Sequence, residues 1–162
     1  MFKKILVPLD GSDLAAKILP YVVDLAKLHD SQVTLLYVYY AGESETFPDW
    51  IEKALETEKT RCELLLARAA EDLESQGLKG VKVECLEGSP AREIINFAKE
   101  NDMDLIAMST HGKGEVAWVL GSVAEKVVSH ATVPVLLFRV MVPKPLLTKE
   151  DHFLEVMERG IP

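Results

Sequence analysis

The sequence is poor in the groups that build metal sites, disulfide frameworks and membrane spans. It has two cysteines, Cys62 and Cys85, far apart in the chain and outside any CxxC or Cys/His pairing. That spacing argues against a zinc site or a disulfide, so two thiols in a reducing compartment are expected. No apolar run approaches the roughly 20 residues that a membrane span needs. The run after Lys3-Lys4, Ile5 to Val7, is too short for the apolar part of a signal peptide. Basic residues are also scarce: 18 Lys and Arg stand against 26 Asp and Glu, a net charge of -8. A broad basic face for nucleic acid or for an anionic membrane is therefore excluded. The expected setting is cytoplasmic, with neither nucleic acid nor membrane as partner.

Catalytic signatures are missing as well. No strand-to-helix segment reads GxxxxGK[ST], and Gly112 and Gly114 have no third glycine to complete GxGxxG. These absences remove the P-loop and the glycine-rich dinucleotide motif. HExxH and a Ser/His/Asp nucleophile arrangement are absent too.

What is present is an ordinary globular composition, 48% apolar and 27% charged over 162 residues, enough for one domain with a real core. Lys3 to Leu9 is a near-continuous apolar run of the kind found in parallel strands covered on both faces. After the turn Asp10-Gly11-Ser12-Asp13, apolar residues recur at helical spacing from Leu14 to His29, with a kink expected at Pro20. Gln32 to Tyr40 is β-branched and aromatic, the clearest strand. A helix follows from Asp49 to about Gln76, closed by Gly77 and Gly80. Val81 to Glu87 alternates like a strand nearer a sheet edge. Ser89-Pro90 opens the next helix as N-cap and first residue, and that helix ends near Asn101. Leu105 to Met108 is a strand, 121 to 130 a helix, and Val133 to Val140 a last strand with Pro134 near its start.

Strands and helices alternating in this way call for a single doubly wound α/β sheet with right-handed crossovers over residues 1–140. Residues 141–162 form an extension. Pro143 and Pro145 make a stiff link, and Thr148 to Asp151 caps either a frayed end or a short docking helix bearing Phe153, Leu154, Val156 and Met157.

Two small-residue loops follow strand ends, at 8–12 and at 109–114, and Gly121-Ser122 opens a helix. Ligands in such sheets sit beyond the carboxyl ends of the strands, where strand order reverses. Backbone N–H groups at a helix start, unobstructed by side chains, suit an anion such as phosphate. Lys113 reads as a solvated loop residue and Trp118 as packing beneath the loop.

Several stretches, in order, resemble the universal stress protein family. They are Lys3-Lys-Ile-Leu-Val-Pro-Leu-Asp-Gly-Ser12, Met108-Ser-Thr-His-Gly-Lys113, Leu120-Gly-Ser-Val-Ala-Glu-Lys-Val-Val128 and Val133-Pro-Val-Leu-Leu137. The resemblance covers residues 2 to 140. It implies a five-stranded parallel sheet in order 3-2-1-4-5, and a homodimer formed through the last strand, Val133 to Val140. It also implies ATP as ligand, with Mg2+ or Mn2+ as candidate companion; no general base is evident for attack on a γ-phosphate, so at most a slow ATPase activity is expected.

The family's ATP pattern is Gly, two residues, Gly, nine residues, then Gly with Ser or Thr. Here Ser109 stands first, and eight residues separate Gly112 from Gly121-Ser122. Residue by residue, the resemblance implies that Asp10 meets the ribose hydroxyls or helps hold a divalent ion, while Pro8, Val38 and Met108 meet the adenine and ribose. Ser109 would belong to the cofactor site as the first position of the pattern, His111 and Gly112 would line the phosphate path, and Gly121, Ser122 and Val123 would give N–H groups and a hydroxyl to the phosphates. Two readings follow: an ATP-binding stress-response regulator, or a nucleotide-independent dimeric interaction module on the same fold.

Overall fold

The structure, a computed structural model, describes residues 1–40, 49–111 and 120–139, with backbone alone over 49–55. The expected docking helix beyond residue 140, and Gly112, Lys113, Gly114 and Trp118, lie outside the described residues. In chain order the elements are β1 (Lys4–Leu9), α1 (Asp13–Ala16), α2 (Leu19–His29), β2 (Gln32–Tyr39), α3 (Asp49–Ser75) and β3 (Lys82–Glu87). They are followed by α4 (Pro90–Glu100), β4 (Leu105–Ser109), α5 (Ser122–His130) and β5 (Val135–Phe138). The strands form one parallel sheet in order β3-β2-β1-β4-β5, so the α/β class and the strand order are as the sequence implied.

Alternation along β1 sorts the core into two layers. Ile5, Val7 and Leu9 point to the side covered by α1, α2 and α3, where they pack with Val22, Val33, Leu35 and Leu66. Leu6 points to the opposite side and meets Leu36, Ile94, Ile106 and Val127 beneath α4 and α5. Ile5, Leu6, Leu35, Leu36, Leu66 and Ile106 have no exposed surface, and each such side chain stabilises the fold by roughly 1.5–3 kcal/mol. The neighbouring of β1 and β4 is fixed at their starts by Asp104, whose carboxylate accepts the Lys3 and Lys4 N–H groups at 2.8 Å each.

Two expectations need correction. Residues 14–29 form not one kinked helix but two: α1 stops at Ala16 and α2 begins at Leu19, with Pro20 in its first turn. Proline's missing N–H costs nothing at a helix start and would leave a broken bond inside one, so the chain restarts there. Apolar spacing alone could not reveal the break, because both segments face the same layer.

The second correction concerns the cysteines, which form a disulfide, Cys62–Cys85, with Cα atoms 6.3 Å apart. Distance along the chain misled here. A helix followed by a strand folds back on itself, so residues 23 apart meet where α3 lies on β3. Nothing in the disulfide supports the reduced thiols expected from the sequence.

Among the described residues no helix is long and apolar enough to cross a membrane.

Candidate functional site

The cleft arises where β1 and β4 part. Their register runs Ile5 to Leu105 and Leu6 to Ile106 and then stops, although β1 continues to Leu9 and β4 to Ser109. Residue 8 explains the stop. The Lys4 carbonyl accepts from Asp104 N on the β4 side, whereas the Lys3 carbonyl accepts from Gln32 N on the β2 side. Even-numbered residues of β1 thus turn their backbone groups toward β4, and Pro8 has no N–H to offer there. The ladder to β4 ends, and the strands open at their carboxyl ends.

A cavity of about 290 Å³ occupies that opening. Its apolar walls are Pro8 from β1, Leu36 and Val38 from β2, Met108 from β4, and Pro90 and Ile94 from α4. Its polar end holds Asp10, Ser109, Thr110, His111 and the first turn of α5 from Gly121 to Ala124. Nine of the ten residues singled out from sequence therefore line one cavity: Pro8, Asp10, Val38, Met108, Ser109, His111, Gly121, Ser122 and Val123. The tenth, Gly112, lies outside the described residues.

Sequence reasoning missed Leu36, Pro90, Ile94 and Thr110. The readable signal for Ile94 was that two helices following an order reversal share a sheet face, so the apolar stripe of α4 must border the cleft beside α5.

Asp10 is held by its own turn. Its Oδ1 accepts from Ser12 N at 2.9 Å and from Ser12 Oγ at 2.6 Å, while Ser12 Oγ accepts from Ala15 N at 3.1 Å to cap α1. Such a cap is worth about 1 kcal/mol. The chain between them turns through Gly11 at φ +78°, a conformation that needs glycine.

Ser109 stands where the ATP pattern has glycine. Its φ is not positive, and its hydroxyl donates to the Leu14 and Ala15 carbonyls at 3.2 and 3.1 Å. Those carbonyls sit at the short C-terminal end of α1, where the Leu14 carbonyl also accepts from Lys17 N at 3.3 Å. The serine thus binds β4 to α1, and its hydroxyl is spent on the scaffold.

His111 is buried, with Nδ1 2.9 Å from Thr110 Oγ1. Gly121 is required by closeness, not by its dihedral angle. A Cβ there would lie 2.9 Å from the Thr110 carbonyl oxygen, and the Gly121 N–H already donates to that oxygen at 3.0 Å. This contact brings the start of α5 against the end of β4. The N–H groups of the first turn of α5 have no intrahelical acceptors and carry the positive end of the helix dipole. Among the described residues no group of three or more His, Cys, Asp or Glu is placed to hold a metal ion.

The model of the universal stress protein family matches residues 1–139. The universal stress protein MJ0531 of Methanocaldococcus jannaschii is 36% identical over 143 residues, covering 86% of this chain and 83% of the relative. Among solved structures, protein MJ0577 matches with a TM-score of 0.79 at 30% identity, over 88% of this chain and 99% of that one. The universal stress protein of Archaeoglobus fulgidus, solved in complex with dAMP, shares the fold with a TM-score of 0.58 at 22% identity, over 85% and 97% of the two chains. A family model spanning nearly the whole described fold, together with a relative of this identity and coverage, establishes that the chain belongs to the universal stress protein family.

Proposed function

We propose that the protein is an adenine-nucleotide-binding regulator, with ATP as its ligand, acting in the stress response as a homodimer in the cytoplasm. The observation that carries this reading is the convergence of three chemistries in one cavity. An apolar slot between Val38, Ile94 and Met108 suits a purine. The Asp10 carboxylate, held by Ser12, is an acceptor for ribose hydroxyls. The first turn of α5 is a ready site for phosphate. A fold neighbour that binds dAMP supports the adenine nucleotide, and the full set of phosphates is our extension.

Ser109 does not argue against this ligand, because its hydroxyl turns toward α1. Among the described residues Asp10 and His111 are the carboxylate and imidazole that line the cavity, and the Asp10 carboxylate already accepts from Ser12. A divalent ion, Mg2+ or Mn2+, would therefore be carried chiefly by the phosphates. Hydrolysis would be slow at most, which suits occupancy as a signal better than turnover. The dimer is proposed through β5, whose backbone edge and exposed Leu136 offer a surface for pairing.

The test is calorimetric titration and thermal shift with ATP, ADP and AMP, with and without magnesium, on the wild type and on Asp10→Ala. A nucleotide at a hundred times its dissociation constant should stabilise the fold by about 2.7 kcal/mol, and Asp10→Ala should lose that gain. A well-folded wild type that no nucleotide stabilises would end this reading in favour of a nucleotide-independent interaction module.

A further inference from the structure

The disulfide and the cleft share a packed wall. Leu65 and Tyr37 close over Gly11: a Cβ on that glycine would stand 3.0 Å from Leu65 Cδ1 and 3.3 Å from Tyr37 Cε2. Leu65 is one helical turn beyond Cys62 on α3, and Tyr37 is the register partner of Cys85 across β2 and β3. Cys62, Tyr37, Leu65 and Cys85 all belong to the same apolar layer. A continuous set of packed groups thus runs from the sulfur pair through Leu65 and Tyr37 to Gly11. The next residue is Asp10, which lines the cavity. The two sulfurs differ in access. Cys62 is 1% exposed, whereas Cys85 is half-buried on the edge strand.

We infer that Cys62–Cys85 is a redox-sensitive latch on the nucleotide cleft, an inference that rests on the function proposed above. With the bond closed, α3 is pinned to β3 and Leu65 is pressed onto the Asp10–Ser12 turn. With the bond open, that turn loosens, Asp10 is held less firmly, and the nucleotide binds more weakly. Preorganised groups lose affinity when freed, because ordering them then costs part of the binding energy. A disulfide in a cytoplasmic protein is more often transient and sensing than permanent, which matches this use.

The chemistry is thiol–disulfide exchange with a dithiol reductant. Its thiolate attacks Sγ of Cys85, the less buried residue of the pair, and Cys62 leaves as a thiolate that takes up a proton. The reductant's second thiolate then attacks its own sulfur in the mixed disulfide and releases Cys85, which is protonated in turn. Two electrons and two protons pass to the cysteine pair, and the reductant becomes a disulfide.

The experiment compares the full chain, air-oxidised and dithiothreitol-reduced, with thiols counted by alkylation and mass spectrometry. AMP and ATP are titrated against both forms and against Cys85→Ala. Amide hydrogen exchange over residues 11–15 is measured without ligand. The expected result is a loss of about fivefold or more in affinity on reduction, with Cys85→Ala matching the reduced form and indifferent to dithiothreitol. Equal affinity in the two redox forms overturns the latch, and so do two free thiols in the oxidised sample. If neither nucleotide binds either form, the proposed function has failed and exchange decides the latch by itself. Faster exchange at the turn after reduction upholds it, and unchanged exchange removes it.

Discussion

The two edges of the sheet are treated in opposite ways. At one edge, β3 carries Lys82, Glu84 and Glu87, and its first three residues are exposed. It is also bonded covalently to α3 through Cys85. Charges along an edge discourage a second strand from pairing there. At the other edge, β5 reads Val-Leu-Leu-Phe with no charge, Leu136 is 44% exposed, and the Phe138 ring lies 4.0 Å from that of Tyr21 between centroids. One edge is blunted and stapled, while the other is apolar and, among the described residues, unpaired by a further strand. The difference assigns the proposed latch to the β3 edge and the proposed dimer to the β5 edge.

The largest effect expected is at the stapled edge. A disulfide closing a span of 23 residues should stabilise the fold by about 3 kcal/mol through its limit on the unfolded chain. Urea unfolding of Cys62→Ala/Cys85→Ala should show that loss, and so should reduced wild type. A double variant as stable as the oxidised wild type would mean that α3 is held by burial of Leu66 and Leu73 alone.

The open edge gives the next effect. Leu136→Lys should weaken the proposed dimer at least about tenfold, near 1.4 kcal/mol, as read by sedimentation over a concentration series. Val83→Lys on β3 should leave association unchanged. Wild type that sediments as a monomer at micromolar concentration would remove the dimer and, with it, this half of the contrast.

The smallest effect is again on the β3 side, at Tyr39, the register partner of Glu87. Burial raises its phenol above the ordinary 10.0, and the Glu87 and Glu63 carboxylates add to the rise. The neutral phenol is thus favoured in the fold. Its contribution is complete below the unfolded value and is lost as pH climbs through the higher folded one. Tyr39→Phe should therefore soften the fall in urea midpoint above pH 10 and leave it unaltered at pH 7. An identical alkaline profile in the variant would show that Tyr39 ionises as freely folded as unfolded.

Much of the cleft was legible because its residues are local. Asp10-Gly11-Ser12 declares a turn by composition, and Gly121-Ser122 declares a helix start. Each segment carries its signal within a few residues. Pro90 was missed because nothing near it in sequence says that the start of α4 closes the cavity, and Ile94 because its signal lies in the order of the elements and not in its neighbours along the chain. Ser109 looked like a departure from the nucleotide pattern until its hydroxyl was found on the Leu14 and Ala15 carbonyls, partners more than ninety residues away. The break between α1 and α2 went unread because apolar spacing continues across it.

By itself the sequence determined the order and type of the elements, through the alternation of two hydrophobic periods, and the chemistry available at each turn. Pro8 even carried the reason for the opening, since the missing N–H is a property of the residue. Only the tertiary structure decided which side of β1 that missing N–H faces, and so where the sheet parts. It alone decided that Cys62 and Cys85 meet, because a sulfur–sulfur contact depends on how a helix lies on a strand, and no local pattern encodes that distance.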